Sequence, residues 1–139
     1  MSRINFGRVV LGGIVAAVIV NLGEAAFGFV FHEEYRAAMA RLGIDLTPRA
    51  ALYLPILWSL VIGILSIWLY AAIRPRYGPG PKTAVRAALA VWAFTTVTFS
   101  LAMGCLGLFP ARLMAIGAVW GLVESIVAVL AGASIYREP

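Results

Sequence analysis

Apolar residues run along this chain in four long blocks, about 7–31, 48–73, 83–108 and 111–136, and polar positions are concentrated in the gaps between them. Each block is at least the ~20 residues a helix needs to cross a hydrocarbon layer, and together they read as helices rather than strands. The pattern predicts an all-α membrane protein, a bundle of four transmembrane helices making one domain over 1–139.

The first block follows Arg3 and Arg8, as a signal peptide would. It continues through Phe27, Phe29 and Phe31, beyond the ~7–15 apolar residues of a cleavable signal, and so reads as a retained span. Thr47-Pro48 opens the second block as a helix-start pair, with Pro55 a possible kink inside it. Pro110 separates the third block from the fourth.

Between the first two blocks, Tyr35, Ala38, Met39 and Leu42 share one helical face opposite Glu34, Arg36 and Arg41, and Gly43 can end the turn. This predicts a short amphipathic helix over 33–42 lying on the membrane surface in the first outer loop. The second loop, from Arg74 to Lys82, holds three prolines and two glycines and reads as a stiff turn, neither helix nor strand. Its glycines do not have the spacing of a phosphate loop.

Composition agrees with the pattern: 63% of residues are hydrophobic and 12% charged, too little polar surface for a water-soluble domain. The net charge of +5 does not mark a nucleic-acid partner, because the cations sit at span ends. Arg3, Arg8, Arg74, Arg76, Lys82, Arg86 and Arg137 fall on one side, and Arg36, Arg41, Arg49 and Arg112 on the other. The positive-inside rule therefore puts both termini in the cytoplasm. Arg74, Arg76, Lys82 and Arg86 are then expected among anionic lipid headgroups, beside interfacial Trp68, Tyr70, Tyr77 and Tyr136. Cys105 has no cysteine partner and is expected to be buried as a small apolar residue. Trp92 and Trp120 lie deeper and read as bundle packing.

Two acids lie within the blocks, Glu24 in the first and Glu124 in the fourth. A charge at mid-membrane costs about 2.5–3.5 kcal/mol, so both carboxyls are expected inside the bundle, away from lipid. Gly13, Ala17, Asn21, Glu24 and Gly28 form one helical stripe, and Gly117, Gly121, Glu124, Ala128 and Gly132 another. Spans one and four are expected to pack antiparallel through these small residues. Counting from the span ends at ~1.5 Å per residue separates the acids by about 10 Å in depth, so a water or hydroxyl would have to bridge them. Asn21, Thr95, Thr98 and Ser125 are the candidate bridging and pathway residues. The cluster reads either as hydrogen-bonding groups that hold helices together or as a proton or ion pathway.

His32, the one histidine, is expected to be an ordinary interfacial residue; no metal or other cofactor is predicted. No nucleophile elbow, Walker sequence, zinc spacing or dinucleotide fingerprint is present, so an enzyme is not expected.

A short four-span chain with a carboxylate in its first span resembles the small multidrug resistance transporters, which act as dimers; the likeness rests on span count and Glu24. The stretches 73–83 (Ile-Arg-Pro-Arg-Tyr-Gly-Pro-Gly-Pro-Lys-Thr) and 119–124 (Val-Trp-Gly-Leu-Val-Glu) resemble a family of small four-span bacterial membrane proteins of unknown function. That resemblance implies a bacterial inner membrane and a four-helix fold, and carries over no catalytic residue. The expected role is an accessory or scaffold subunit, self-associated or attached to a larger membrane complex. The rival is a proton-coupled small-solute transporter using Glu24 and Glu124.

Overall fold

The computed structural model describes residues 4–45 and 47–137; Arg3, counted above among the cations, lies outside them. Every regular element among the described residues is helical: α1 (Phe6–Val30), α2 (His32–Arg41), α3 (Pro48–Tyr77), α4 (Pro81–Trp92), a π-helical turn (Ala93–Val97), α5 (Thr98–Cys105) and α6 (Ala111–Ile135). Helix α4, the π turn and α5 form one continuous helical stretch, so four stretches are long and apolar enough to cross a membrane.

Local chemistry sets the helix ends. The Asn5 side chain accepts from Arg8 N–H at the start of α1, and Thr47 Oγ1 accepts from Ala50 N–H at the start of α3, where Pro48 takes the first position. Gly43 and Gly107, at φ 65° and 68°, close α2 and α5; the following amides, Ile44 and Leu108, reach back to the Met39 and Met103 carbonyls.

The second loop is shorter than expected, because α3 continues through Arg74, Pro75 and Arg76 to Tyr77. A proline so close to the helix end forfeits one backbone bond and leaves few further turns to disturb. Gly78 N–H then closes the helix on the Arg74 carbonyl at 2.8 Å, and Thr83 Oγ1 donates to the Gly78 carbonyl at 2.7 Å across the turn.

Two tyrosines bind one end of the bundle together. The Tyr70 hydroxyl accepts from Gly80 N–H, the Tyr136 hydroxyl accepts from Asn5 N–H, and the two rings meet edge to face at 5.9 Å. Both described chain ends and the α3–α4 turn therefore share this terminal end. Both residues are buried, at 4% exposure each, rather than lying in an interfacial belt; Trp68 and Tyr77 are exposed.

The main core fills the terminal half of the bundle, around Val9, Ala16, Ile67, Ala87, Val129 and Tyr136. A second, smaller core lies at the opposite end, where Ala38 of α2 packs with Phe109 and Leu113. Between these levels the bundle loosens. Helix α4 buries Thr83, Ala84, Ala87 and Ala88, but beyond the π turn α5 buries no residue. The extra residue in a π turn rotates the helix face, so the packed side of α4 is not carried forward. In the same half of the bundle, Leu52, Tyr53, Leu54, Leu57 and Trp58 of α3 are all more than half exposed. Cys105, expected in the interior, is exposed at the end of α5.

Candidate functional site

The two acids sit at the level where the main core ends. Helix α1 meets α6 through Gly12, whose missing side chain lets the Gly132 carbonyl approach to within 2.5 Å of an ideal Cβ position, and through Phe27, which covers Gly117. These two contacts share one antiparallel register. It sets Glu124 level with Val20, four residues from Glu24, or about 6 Å along the axis rather than the 10 Å expected from span ends. Helical side chains lean toward their own N-terminus, so on antiparallel helices these two lean toward each other.

Their surroundings differ. The Glu124 carboxyl lies over Gly23 of α1, in contact with the space a side chain there would fill; it is partly buried, and Oε2 has no hydrogen-bond partner. Two indoles fasten the helices around it. Trp120 Nε1 donates to the Gly23 carbonyl at 3.2 Å, and Trp92 Nε1 donates to the Ala118 carbonyl at 2.8 Å. Glu24 is one residue on from Gly23, about 100° around α1. It is exposed, contrary to the expectation that both acids turn inward. The register of Gly13 against Ile64 and Ala17 against Gly63 sets Glu24 beside the exposed stretch 53–56 of α3.

A groove of about 810 Å³ opens on the other flank of α1. Ile19 and Leu22 form one wall, Ile116, Val119, Val123 and Val127 the other, and Gly23 and Glu124 lie between them. Glu124 is the one ionisable residue in the lining.

The small-residue stripes divide between partners instead of facing each other. Gly13 and Ala17 pack against α3, where Gly63 fits beneath the Gly13 carbonyl; Gly121 packs against Thr96 of the π turn; Gly28 is exposed with nothing within 4 Å of an added Cβ. Of the two stripes, Gly117 and Gly132 contact α1, and Ala128 is buried in the main core. The reason is phase: α1 is gripped by α3 on one side and α6 on the other, so Gly13 meets Ile64 of α3 while adjacent Gly12 meets Gly132 of α6 as well as Ile67 of α3.

The candidate hydroxyls are largely committed to their own helix. Thr95 Oγ1 donates to the Val91 carbonyl at 2.7 Å, and Thr98 Oγ1 donates to the Phe94 carbonyl, so neither donates to a carboxyl. Thr95 is half-buried and Thr98 exposed; Asn21 and Ser125 are both half-buried. Gly23 and the Trp120 indole N–H were missed in the sequence as groups flanking the Glu124 carboxyl. The available signal was Trp120 four residues before Glu124, on the same helical face.

At the α2 end, Arg112 Nη1 meets Glu34 Oε1 at 3.1 Å and the Tyr35 ring lies 5.3 Å from that of Phe109. Partial burial, and after it the Glu24 carboxyl, push the Tyr35 phenol above its ordinary range. His32 Nε2 lies 3.0 Å from Glu33 Oε1 on the surface. Among the described residues, no three histidine, cysteine or acidic side chains gather as a metal site would require. At the terminal end, the Arg74 guanidinium lies over the Tyr136 ring at 5.5 Å and that of Arg86 over Tyr77 at 4.6 Å; Arg76 and Lys82 are exposed. The chain matches no protein-family model, no characterised protein and no solved structure.

Proposed function

We propose that this chain is a membrane-embedded accessory or scaffold subunit, without enzymatic activity, that associates with itself or with a larger membrane complex. The observation that carries this reading is the exposed Glu24. It lies six residues inside the α2-side end of α1, about 9 Å, and its side chain leans deeper. A carboxyl there stands against acyl chains unless another helix covers it, and such exposure is costly. The exposed stretch of α3 beside it and α5, which buries no residue, offer a surface for that helix.

The distribution of cations favours both termini in the cytoplasm and Arg74, Arg76, Lys82 and Arg86 at anionic lipid headgroups; the resemblance carried by stretches 73–83 and 119–124 favours a bacterial inner membrane. On this reading α2 lies at the opposite surface. Extraction into native lipid discs followed by mass spectrometry tests the assembly: a multimer or a stable hetero-complex is expected, and a solitary monomer overturns it.

The axial offset of only about 6 Å between the two acids favours a second reading, a proton-coupled small-solute pathway. It requires pH-dependent flux in proteoliposomes that falls in Glu24→Gln or Glu124→Gln. Unchanged flux in both variants removes it.

A further inference from the structure

The two ends of the bundle treat their cations differently. At the α2 end Arg112 meets Glu34, and Glu33 and Asp45 lie close by in the chain. At the terminal end Arg8, Arg74, Arg76, Lys82 and Arg86 gather with no acid among the described residues: Glu24 and Glu124 lie within the spans, and Glu138 is outside the described residues. The counter-charge for this end has to come from another molecule. Anionic headgroups supply it in general, and the α3–α4 turn adds a fixed geometry.

Three hydrogen bonds brace that turn. Gly78 N–H donates to the Arg74 carbonyl at 2.8 Å, Thr83 Oγ1 donates to the Gly78 carbonyl at 2.7 Å, and Gly80 N–H donates to the buried Tyr70 hydroxyl at 3.2 Å. On this frame the Arg86 guanidinium lies over the Tyr77 ring, 4.6 Å from its centre, which draws it from the second turn of α4 back to the end of α3. Stacking occupies the face of a guanidinium and leaves its in-plane N–H donors for an anion. Lys82 lies four residues before Arg86 on the same helical face, and Arg76 adjoins Tyr77; all three cations are exposed.

We propose that this turn selects a lipid headgroup carrying two negative charges, with the Arg86 fork on a phosphate and Lys82 and Arg76 balancing the remaining charge. It rests on the placement of this end among anionic headgroups and adds a preference within that class. A singly charged phosphodiester pairs with the Arg86 fork and leaves the other two cations without a counter-charge. A phosphomonoester carries about −1.5 to −2 charges at pH 7 and three accepting oxygens, enough for the fork and one further cation. Two linked phosphodiesters bring a similar charge. Phosphatidic acid is a lipid of the first kind and cardiolipin of the second.

The test is native mass spectrometry of the full chain released from phosphatidylcholine nanodiscs that contain equal small fractions of phosphatidylglycerol, phosphatidic acid and cardiolipin. Adducts of phosphatidic acid or cardiolipin should exceed those of phosphatidylglycerol about tenfold, the gain expected of one further charge-assisted bond, and the more abundant of the two identifies the source. Arg86→Gln should abolish that preference. Tyr77→Leu keeps every cation but removes the ring beneath Arg86, and should lower the preference about threefold, the worth of an exposed cation–π contact. Arg112→Gln, the same loss of charge at the opposite end, should leave it intact. Equal adducts of the three anionic lipids overturn the proposal, and so does an equal loss of preference in Arg86→Gln and Arg112→Gln. Displacement of the adduct by millimolar inorganic phosphate would make the ligand a soluble ion and overturn the lipid assignment. If no anionic lipid exceeds phosphatidylcholine, the headgroup placement itself fails and the preference with it.

Discussion

The Glu124 carboxyl occupies the place where a side chain on Gly23 would have to stand. Glycine at position 23 thus makes room for an acid on the facing helix, and the obstacle to a larger residue is the tip of a flexible side chain. Gly23→Ala should cost about 1–3 kcal/mol, as overpacking does. Combining it with Glu124→Ala should recover about 1 kcal/mol or more relative to the summed single effects. Reversible unfolding in bicelles, followed by tryptophan fluorescence, measures the cycle; strict additivity would show that the two positions do not share this space.

Backbone offers no such escape. An added Cβ at Gly12 meets the Gly132 carbonyl oxygen at 2.5 Å, and one at Gly132 meets the Gly12 carbonyl oxygen at 2.5 Å. Gly12→Ala and Gly132→Ala should therefore each destabilise by about 3 kcal/mol, the upper end of the overpacking range, with no side-chain substitution restoring the loss. Gly28→Ala is the control: nothing lies within 4 Å of its added Cβ, so stability should hold or rise by up to about 1 kcal/mol from helix propensity. The same unfolding assay separates the three.

Four long apolar helices were legible because block length against bilayer thickness is a one-dimensional signal, and Thr47-Pro48 marked a helix start through local chemistry alone. The course of α3 past Pro75 was not legible, since proline predicts a missing bond but not whether the rest of the turn survives. Both acids could be read from the sequence as the groups needing an explanation. Their environments could not: one turns over Gly23 and the other outward, although both were placed on small-residue stripes. A stripe gives a helical face without naming its neighbour: Gly13 meets Ile64 of α3, whereas adjacent Gly12 meets Gly132 of α6 as well as Ile67 of α3. The depth offset was overestimated because span ends are a poor ruler; the register set by Gly12 on Gly132 is a better one.

Helix α2 is fixed to the bundle more by apolar contact than by charge. Phe109 is 8% exposed, packs with Ala38 and lies against the Tyr35 ring, whereas Glu34 and Arg112 form an exposed pair. Phe109→Ala should release α2, raising hydrogen exchange of its amides, with a cost of about 3 kcal/mol. Arg112→Gln should cost no more than about 1 kcal/mol and leave the exchange of α2 nearly unchanged. The reverse order would make the ion pair the anchor.

The Tyr35 phenol reports on Glu24 from outside the apolar spans. Partial burial, then the neighbouring carboxyl, raise it above the ordinary value of 10.0. Both causes favour the protonated phenol in the folded chain. Its contribution to stability is thus full below pH 10 and is lost as pH rises through the higher folded value, so alkali should loosen α2. Glu24→Gln removes the second cause and keeps the first, which predicts a titration that moves down yet stays above 10.0. Phenolate absorbance, taken as the difference between the protein and its Tyr35→Phe variant, isolates this one group among the five tyrosines. Should Glu24→Gln leave the titration where it was, the carboxyl does not face the phenol, and the exposed acid on which the assembly surface rests would have to point elsewhere.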